Sequence, residues 1–177
     1  MRSLLAVLLA VNPVAAAVAL WPRERRLTMA VAAAIAFVIA VLSAVVSGPV
    51  LDVLDVTPGT FRVSAAIVLG LASARWLIIG AASVAADGPA EGPGRVVVPL
   101  LIPVLVTPQL VMVSISIGAD EGVAVVAAGA VAGLALGWLA ATVTKRHPAG
   151  WIAGMRLVAA LAMAVAIALA VDGVKTV

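Results

Sequence analysis

The chain has 177 residues, of which 65% are hydrophobic and 11% are charged, and its mean hydropathy is +1.28. Soluble domains carry about 25% charged residues, so this composition excludes the soluble class and leaves no stretch for a soluble catalytic domain. The net charge of +3, with basic residues in short loops, argues against a nucleic-acid partner, and the absence of cysteine excludes disulfides, thiol catalysis and cysteine metal sites.

Six apolar stretches fill almost the whole chain and predict six transmembrane helices, because about 20 apolar residues span a bilayer. The helices are predicted near 3–21, 27–48, 60–84, 96–117, 122–143 and 150–172. The first stretch has the outline of a secretory signal, but Asn12-Pro13 interrupts it and apolar sequence continues to Trp21. It is therefore predicted to be a retained first helix.

The last three stretches echo the first three at a shift of about 95 residues. The corresponding motifs are Asn12-Pro13 with Thr107-Pro108, and Phe61-Arg62 with Met155-Arg156. Three crossings per half is an odd number, so the second half must enter the membrane from the opposite side, as in many secondary transporters. We predict an all-α membrane protein of two inverted three-helix repeats, residues 1–86 and 96–177, with broken helices one and four and a cytoplasmic linker at 87–95.

The charges predict the orientation. Basic residues concentrate in the first, third and fifth loops, and acidic residues lie on the other side: Arg23, Arg25, Arg26, Arg95, Lys145 and Arg146 against Asp52, Asp55, Asp120, Glu121 and Asp172. The positive-inside rule puts the basic loops in the cytoplasm and both termini outside, in a multi-pass protein of the bacterial inner membrane. All four tryptophans fall toward the predicted cytoplasmic face, as an aromatic belt would: Trp21, Trp76, Trp138 and Trp151.

Prolines interrupt helices one and four near the membrane midplane. Proline removes a backbone donor, and in lipid the carbonyl that it frees must find another partner. The N-terminus of a half-helix offers N–H groups to an anion, and a C-terminus offers carbonyls to a cation or an ammonium group. The residues predicted to line a substrate site are Asn12, Pro13, Thr107, Pro108 and Gln109. The alternative is that these prolines only make packing kinks.

Three arginines lie inside predicted helices, where a central charge costs at least ~2.5–3.5 kcal/mol. Arg62 and Arg156 are predicted to act at the outward and cytoplasmic gates, each holding an anionic group or helix carbonyls. The alternative is snorkelling to lipid phosphate, which is favoured for Arg75. No Asp, Glu or His lies at membrane depth, so a coupling ion would need backbone carbonyls with side-chain oxygens, available at Asn12, Thr107, Ser114 and Ser116. Neither an enzyme nor a cofactor is predicted.

Helix five carries Gly129, Gly133 and Gly137, a spacing that lets another helix approach closely. Packing within the chain is favoured over packing between subunits, and a homo-oligomer is left open.

At these residues the chain resembles the MarC family of six-helix bacterial membrane proteins over essentially its full length. The resemblance rests on Asn12-Pro13, on Phe61-Arg62 with Arg75, on Pro99, Pro103 and Pro108, and on Arg156 and Gly173. It implies transport of small neutral amino acids and, through the wider lysine-exporter-like group, export. The family's Gly-Pro-Gly reads Thr107-Pro108-Gln109 here. Side-chain hydrogen bonds replace bare backbone at this point, so the substrate is not carried over from the family.

The sequence predicts a secondary transporter or exporter of a small polar or zwitterionic solute, such as a neutral amino acid or related metabolite. Its predicted partners are this solute and membrane lipid. One alternative is a translocase of an anionic lipid carrier such as a polyprenyl phosphate, with Arg62 and Arg156 on the headgroup. The other is a non-transporting membrane assembly subunit that uses the glycine face of helix five.

Overall fold

A computed structural model describes residues 1–12, 26–79, 107–143 and 148–177. All regular secondary structure in these ranges is helical: α1 (Arg2–Ala10), α2 (Arg26–Val45), α3 (Ser47–Leu54), α4 (Pro58–Ile79), α5 (Pro108–Glu121), α6 (Val123–Val143) and α7 (Pro148–Lys175). Several predictions lie outside the described residues, namely those for Pro13, Trp21, the linker at 87–95, Pro99, Pro103 and the basic loop residues other than Arg26.

Three of these helices are long and apolar enough to cross a membrane, over Pro58–Ile78, Val123–Ala140 and Ala153–Lys175. A fourth span is formed if α2 and α3 are taken together as one bent helix. Large apolar side chains such as Ile78 and Leu157 are exposed on the outside of the bundle, where lipid rather than water would meet them. The predicted all-helical class is confirmed for the described residues, and the apolar helices fit the predicted membrane protein; the number of six spans and the inverted repeat stay predictions.

The second predicted helix is bent in the structure. It was expected to end near residue 48, but α2 ends at Val45 and α3 continues to Leu54 at an angle of 55°. Pro49 explains the break, because a proline clashes with the carbonyl four residues earlier, here that of Val45. The hydroxyl of Ser47 donates to the carbonyl of Ala44 across the bend, at 2.8 Å.

One end of the bundle is tied together by polar contacts between helix ends. They are an ion pair of Arg2 with Asp172 at 3.4 Å, a hydrogen bond from Ser3 to Glu121, and an ion pair of Arg62 with Asp120. These contacts join the starts of α1 and α4 to the ends of α5 and α7. Both chain termini therefore lie at this end, which we call the acidic end, and the opposite end is called the far end.

Helices α4 and α7 run antiparallel and in close contact along their length. A Cβ placed on Gly59 would lie 3.1 Å from the carbonyl oxygen of Gly173, and one on Gly70 would lie 3.7 Å from the Cβ of Ala166. Around this pair, α5 packs against α2 and α4, while α1 packs against α6 and α7. The core between them is filled by apolar side chains, including Val7, Leu69, Leu110, Val113 and Val126.

The glycine face of the fifth predicted helix, which is α6 in the structure, packs against another helix of the same chain. A Cβ on Gly129 would lie 2.7 Å from the Cβ of Val7, and one on Gly133 would lie 2.9 Å from the Cβ of Val11. Real Cβ atoms do not approach this closely, so only glycine allows α1 to lie against α6 here. The prediction that this glycine face packs within the chain is therefore confirmed for Gly129 and Gly133.

Candidate functional site

Helix α1 ends where the sequence places its first break. The last helical residue is Ala10, and the backbone of Asn12 turns into the left-handed region with φ 51°. Two features favour this ending. The residue before a proline is pushed away from the helical region, and asparagine tolerates the left-handed one better than most residues. The N–H of Asn12 donates to the carbonyl of Leu9 at 3.0 Å, which closes the last turn.

Helix α5 begins at the second predicted break. Thr107 is the N-cap in an extended conformation, and its Oγ1 accepts a hydrogen bond from the N–H of Leu110 at 3.2 Å. Pro108 follows at the first helical position, where a missing N–H costs nothing. A helix that begins at Pro108 is what the second half of a broken helix over 96–117 would look like; residues 96–106 lie outside the described ranges, so the break itself stays a prediction.

A cavity lies between α4 and α7, where the end of α1 meets the start of α5. It is lined by residues of these four elements: Leu9, Asn12, Leu69, Ser73, Trp76, Gln109, Met155, Val158, Ala159 and Ala162. Its volume is about 20 Å³, roughly the space of one water molecule. The structure thus brings Asn12 and Gln109, predicted from distant parts of the sequence, to one place, while Thr107 and Pro108 do not line this cavity.

The cavity has a polar side made of two carboxamides. Asn12 and Gln109 are only 9% and 7% exposed, and each carboxamide offers both donors and an acceptor. The third polar group, the hydroxyl of Ser73, donates to the carbonyl of Leu69 at 2.7 Å. No acidic or basic side chain is among the described lining residues. The cavity therefore offers hydrogen-bonding groups without a formal charge, a chemistry that suits an uncharged or zwitterionic polar group.

The depth of the cavity follows from helix geometry. Asn12 is ten residues from Arg2 at the acidic end, a distance of about 15 Å at 1.5 Å per residue. Half the hydrocarbon thickness of a bilayer is also about 15 Å. The two carboxamides therefore lie near the middle of a membrane that the bundle would cross.

The two predicted gate arginines have different surroundings. The Arg62 side chain is 20% exposed, and its Nε donates to Oδ2 of Asp120 at 3.0 Å. The anionic group that Arg62 holds is thus a carboxylate of the chain itself. Arg156 is exposed, as is Arg75. Both point away from the cavity, which is the geometry of the snorkelling alternative.

Two further side chains of α5 that had been named as ion ligands are buried in the core. Ser114 and Ser116 are 0% and 3% exposed, and their hydroxyl oxygens have no hydrogen-bond partner among the described residues. Neither lines the cavity. Being two residues apart on a helix, they point in nearly opposite directions and do not converge on one ion.

The walls supplied by α4 and α7 are what the sequence reasoning missed. Leu69, Ser73 and Trp76 share one face of α4, and Ala159 and Ala162 share one face of α7. Trp76 had been predicted to lie in an aromatic belt, but it is half-buried and lines the cavity. The available signal was a serine and a tryptophan about one turn apart on one face of α4, Ser73 and Trp76.

Comparison of the chain with models of protein families, with curated proteins and with solved structures returns no match. The resemblance to the MarC family therefore stays a prediction. The geometry of the site is what supports a function.

Proposed function

We propose that the protein is a secondary membrane transporter of a small polar or zwitterionic solute, such as a neutral amino acid or related metabolite. One observation carries the proposal. Two buried carboxamides, Asn12 and Gln109, come from two helix ends and share a cavity in the middle of an apolar bundle. Polar residues at membrane depth are costly and usually serve a solute pathway.

The helix ends at this cavity add complementary charge. The C-terminus of α1 presents carbonyl oxygens and the negative end of its dipole, and the N-terminus of α5 presents N–H groups and the positive end. The ammonium group of a zwitterion could bind at the C-terminus of α1, and its carboxylate could bind at the N-terminus of α5. The carboxamides of Asn12 and Gln109 can hydrogen-bond to either group. The arrangement therefore suits a solute that carries one positive and one negative group and no net charge.

An inverted repeat is part of the proposal, and the packing supports it. If α1, α2 and α4 correspond to α5, α6 and α7, a two-fold axis exchanges the pair α1–α6 with α5–α2, and the pair α4–α5 with α7–α1. All four of these pairs are in contact. The pair α4–α7 would map onto itself, and it forms the most extensive contact between described helices.

The register of α4 against α7 fits the same axis. The shift that superposes Arg62 on Arg156 also superposes Gly70 on Ala164. In two helices that cross at a two-fold axis, equivalent residues lie at the same level. Gly70 lies against Met163 and Ala166, within two residues of Ala164 along α7, so the proposed axis crosses the helices near the level of Gly70, although Ala164 itself is on the exposed face.

The orientation and the family complete the proposal. We infer a multi-pass protein of the bacterial inner membrane with the acidic end outside, together with a relationship to the MarC family and, by that relationship, export. The lipid-carrier alternative is less well supported, because Arg62 is paired with Asp120 and the described cavity has no cationic wall. The assembly-subunit alternative loses its surface, because Gly129 and Gly133 pack against α1.

The first test is transport by purified protein in proteoliposomes, with radiolabelled glycine, alanine and serine as probes. Asn12→Ala and Gln109→Ala should each lower uptake at least ten-fold, because each removes a hydrogen-bonding group from the site. Ser64→Ala is the matched control, since Ser64 donates to the carbonyl of Thr60 away from the cavity. Circular dichroism and size-exclusion profiles check folding. Wild-type uptake by folded Asn12→Ala and Gln109→Ala proteins would remove the site.

A further inference from the structure

The apolar side of the cavity is formed mainly by one face of α7. Helix α7 presents four residues to it at the spacing of one helix face: Met155, Val158, Ala159 and Ala162. Two of the four are alanines, both 5% exposed. Because alanine has only a methyl group, the open space between α4 and α7 exists at these positions.

The opposite wall is large and fixed. Trp76 and Leu69 of α4 line the same cavity from the helix packed against α7. Leu69 is 1% exposed, and it belongs to the main core of the bundle. A solute whose polar groups are held by Asn12 and Gln109 must therefore place the rest of its atoms between Trp76 and the two alanines.

From this geometry we infer that Ala159 and Ala162 set the size limit of the solute, with Trp76 as the opposing wall. The inference rests on the proposed transport function and adds the residues that select among solutes. The cavity of about 20 Å³ has room for about one water molecule as it stands, so each carbon atom added to the solute or to the wall counts. A pocket discriminates by about 10-fold or more for each methylene that it cannot accommodate.

The test compares uptake of radiolabelled glycine, alanine, valine and leucine by proteoliposomes. Ala162→Val and Ala159→Val should lower the ratio of alanine to glycine uptake about 10-fold or more, because the added methyl groups occupy the place of the solute side chain. Ala162→Gly should move the limit the other way and raise valine or leucine uptake relative to glycine. This enlarging variant keeps the inference testable if the valine variants fold poorly.

Matched controls lie on the same helix. Ala160 and Ala164 are exposed on the outer face of α7, so Ala160→Val and Ala164→Val add the same atoms without reaching the cavity and should leave every ratio unchanged. Unchanged ratios in the Ala159 and Ala162 variants, with uptake intact, would overturn the size filter and leave the transport proposal standing. Equal shifts in all four positions would also overturn it.

A binding measurement separates this failure from failure of transport itself. Replacing Trp21, Trp138 and Trp151 by phenylalanine leaves Trp76 as the single tryptophan. Its fluorescence should change on addition of those probes that the size limit admits, and Ala162→Val should remove the response to the larger ones. If no probe alters the fluorescence and none is taken up by folded wild-type protein, the proposed function fails, and the size filter fails with it.

Discussion

Arg62 and Arg156 occupy corresponding positions in the two halves of the sequence and have opposite surroundings in the structure. Arg62 is 20% exposed and paired with Asp120. Arg156 is exposed on the outside of α7. Two equivalent charges thus differ because one meets a carboxylate on a neighbouring helix and the other faces the space where lipid would lie.

This difference indicates that the bundle is closed at its acidic end. At the acidic end, the pair Arg62–Asp120 joins α4 to α5, and the contacts of Arg2 and Ser3 join α1 to α7 and α5. The cavity residues of α4 run from Leu69 toward the far end. On the proposed function, the protein is therefore closed at the acidic end, with its site on the other side of that closure, and the Arg62–Asp120 pair is the closed gate.

The largest expected effect comes from preventing this gate from opening. The chain has no cysteine, so Arg62→Cys with Asp120→Cys introduces the only two thiols. Joining them with a short bifunctional thiol reagent should lower uptake at least ten-fold, because α4 and α5 can no longer separate. Uptake is measured in proteoliposomes before and after the reagent, and mass spectrometry measures the extent of cross-linking.

A second cross-link provides the control. Gly70 and Ala166 lie where the proposed axis crosses α4 and α7, and a Cβ on Gly70 would be 3.7 Å from that of Ala166, which suits a disulfide. A contact at the axis is kept when the two halves exchange conformations, so oxidation of Gly70→Cys with Ala166→Cys should leave uptake unchanged. If the cross-link at Arg62 and Asp120 were equally harmless, the acidic end would not be a gate.

A smaller effect is expected when the ion pair is broken but not cross-linked. Asp120→Asn leaves the guanidinium of Arg62 partly buried without its counter-charge, which should lower the free energy of unfolding by about 1–3 kcal/mol, between the values of surface and buried pairs. Thermal unfolding in detergent measures the change. The double variant Arg62→Gln with Asp120→Asn should recover part of it, and strictly additive losses would contradict a direct pairing.

Some of this arrangement is readable from the sequence because the cause is local. Pro13 disfavours a helical conformation at Asn12, and a threonine before Pro108 is a ready N-cap, so both helix ends follow from neighbouring residues. Long apolar stretches likewise predict α6 and α7 to within a few residues. The second helix was predicted to end near residue 48, just before Pro49, and α3 was missed because a proline is also tolerated in the first turn of a new helix, where α3 places it.

The rest depends on contacts between distant parts of the chain. Nothing near Arg62 in the sequence points to Asp120, which lies on a different helix and becomes its partner only through packing. In the same way, many alanines in α7 look alike in the sequence, and only the fold selects Ala159 and Ala162 to line the cavity with Trp76. A single sequence shows which residues are small, and the packing decides which of them leave space.

The smallest effect is expected at Arg156. Arg156→Ala removes a charge that faces outward, so the free energy of unfolding should change by no more than about 0.5 kcal/mol, and uptake should stay within two-fold of wild type. The same substitution at Arg62 should cost more on both measures, because it leaves Asp120 without its partner. Paired thermal unfolding and uptake of the two variants test the asymmetry directly. An equal loss of stability and uptake in both variants would mean that Arg156 also works at a gate. Removing an arginine that only reaches toward lipid phosphate should cost less than removing one that is paired with a carboxylate.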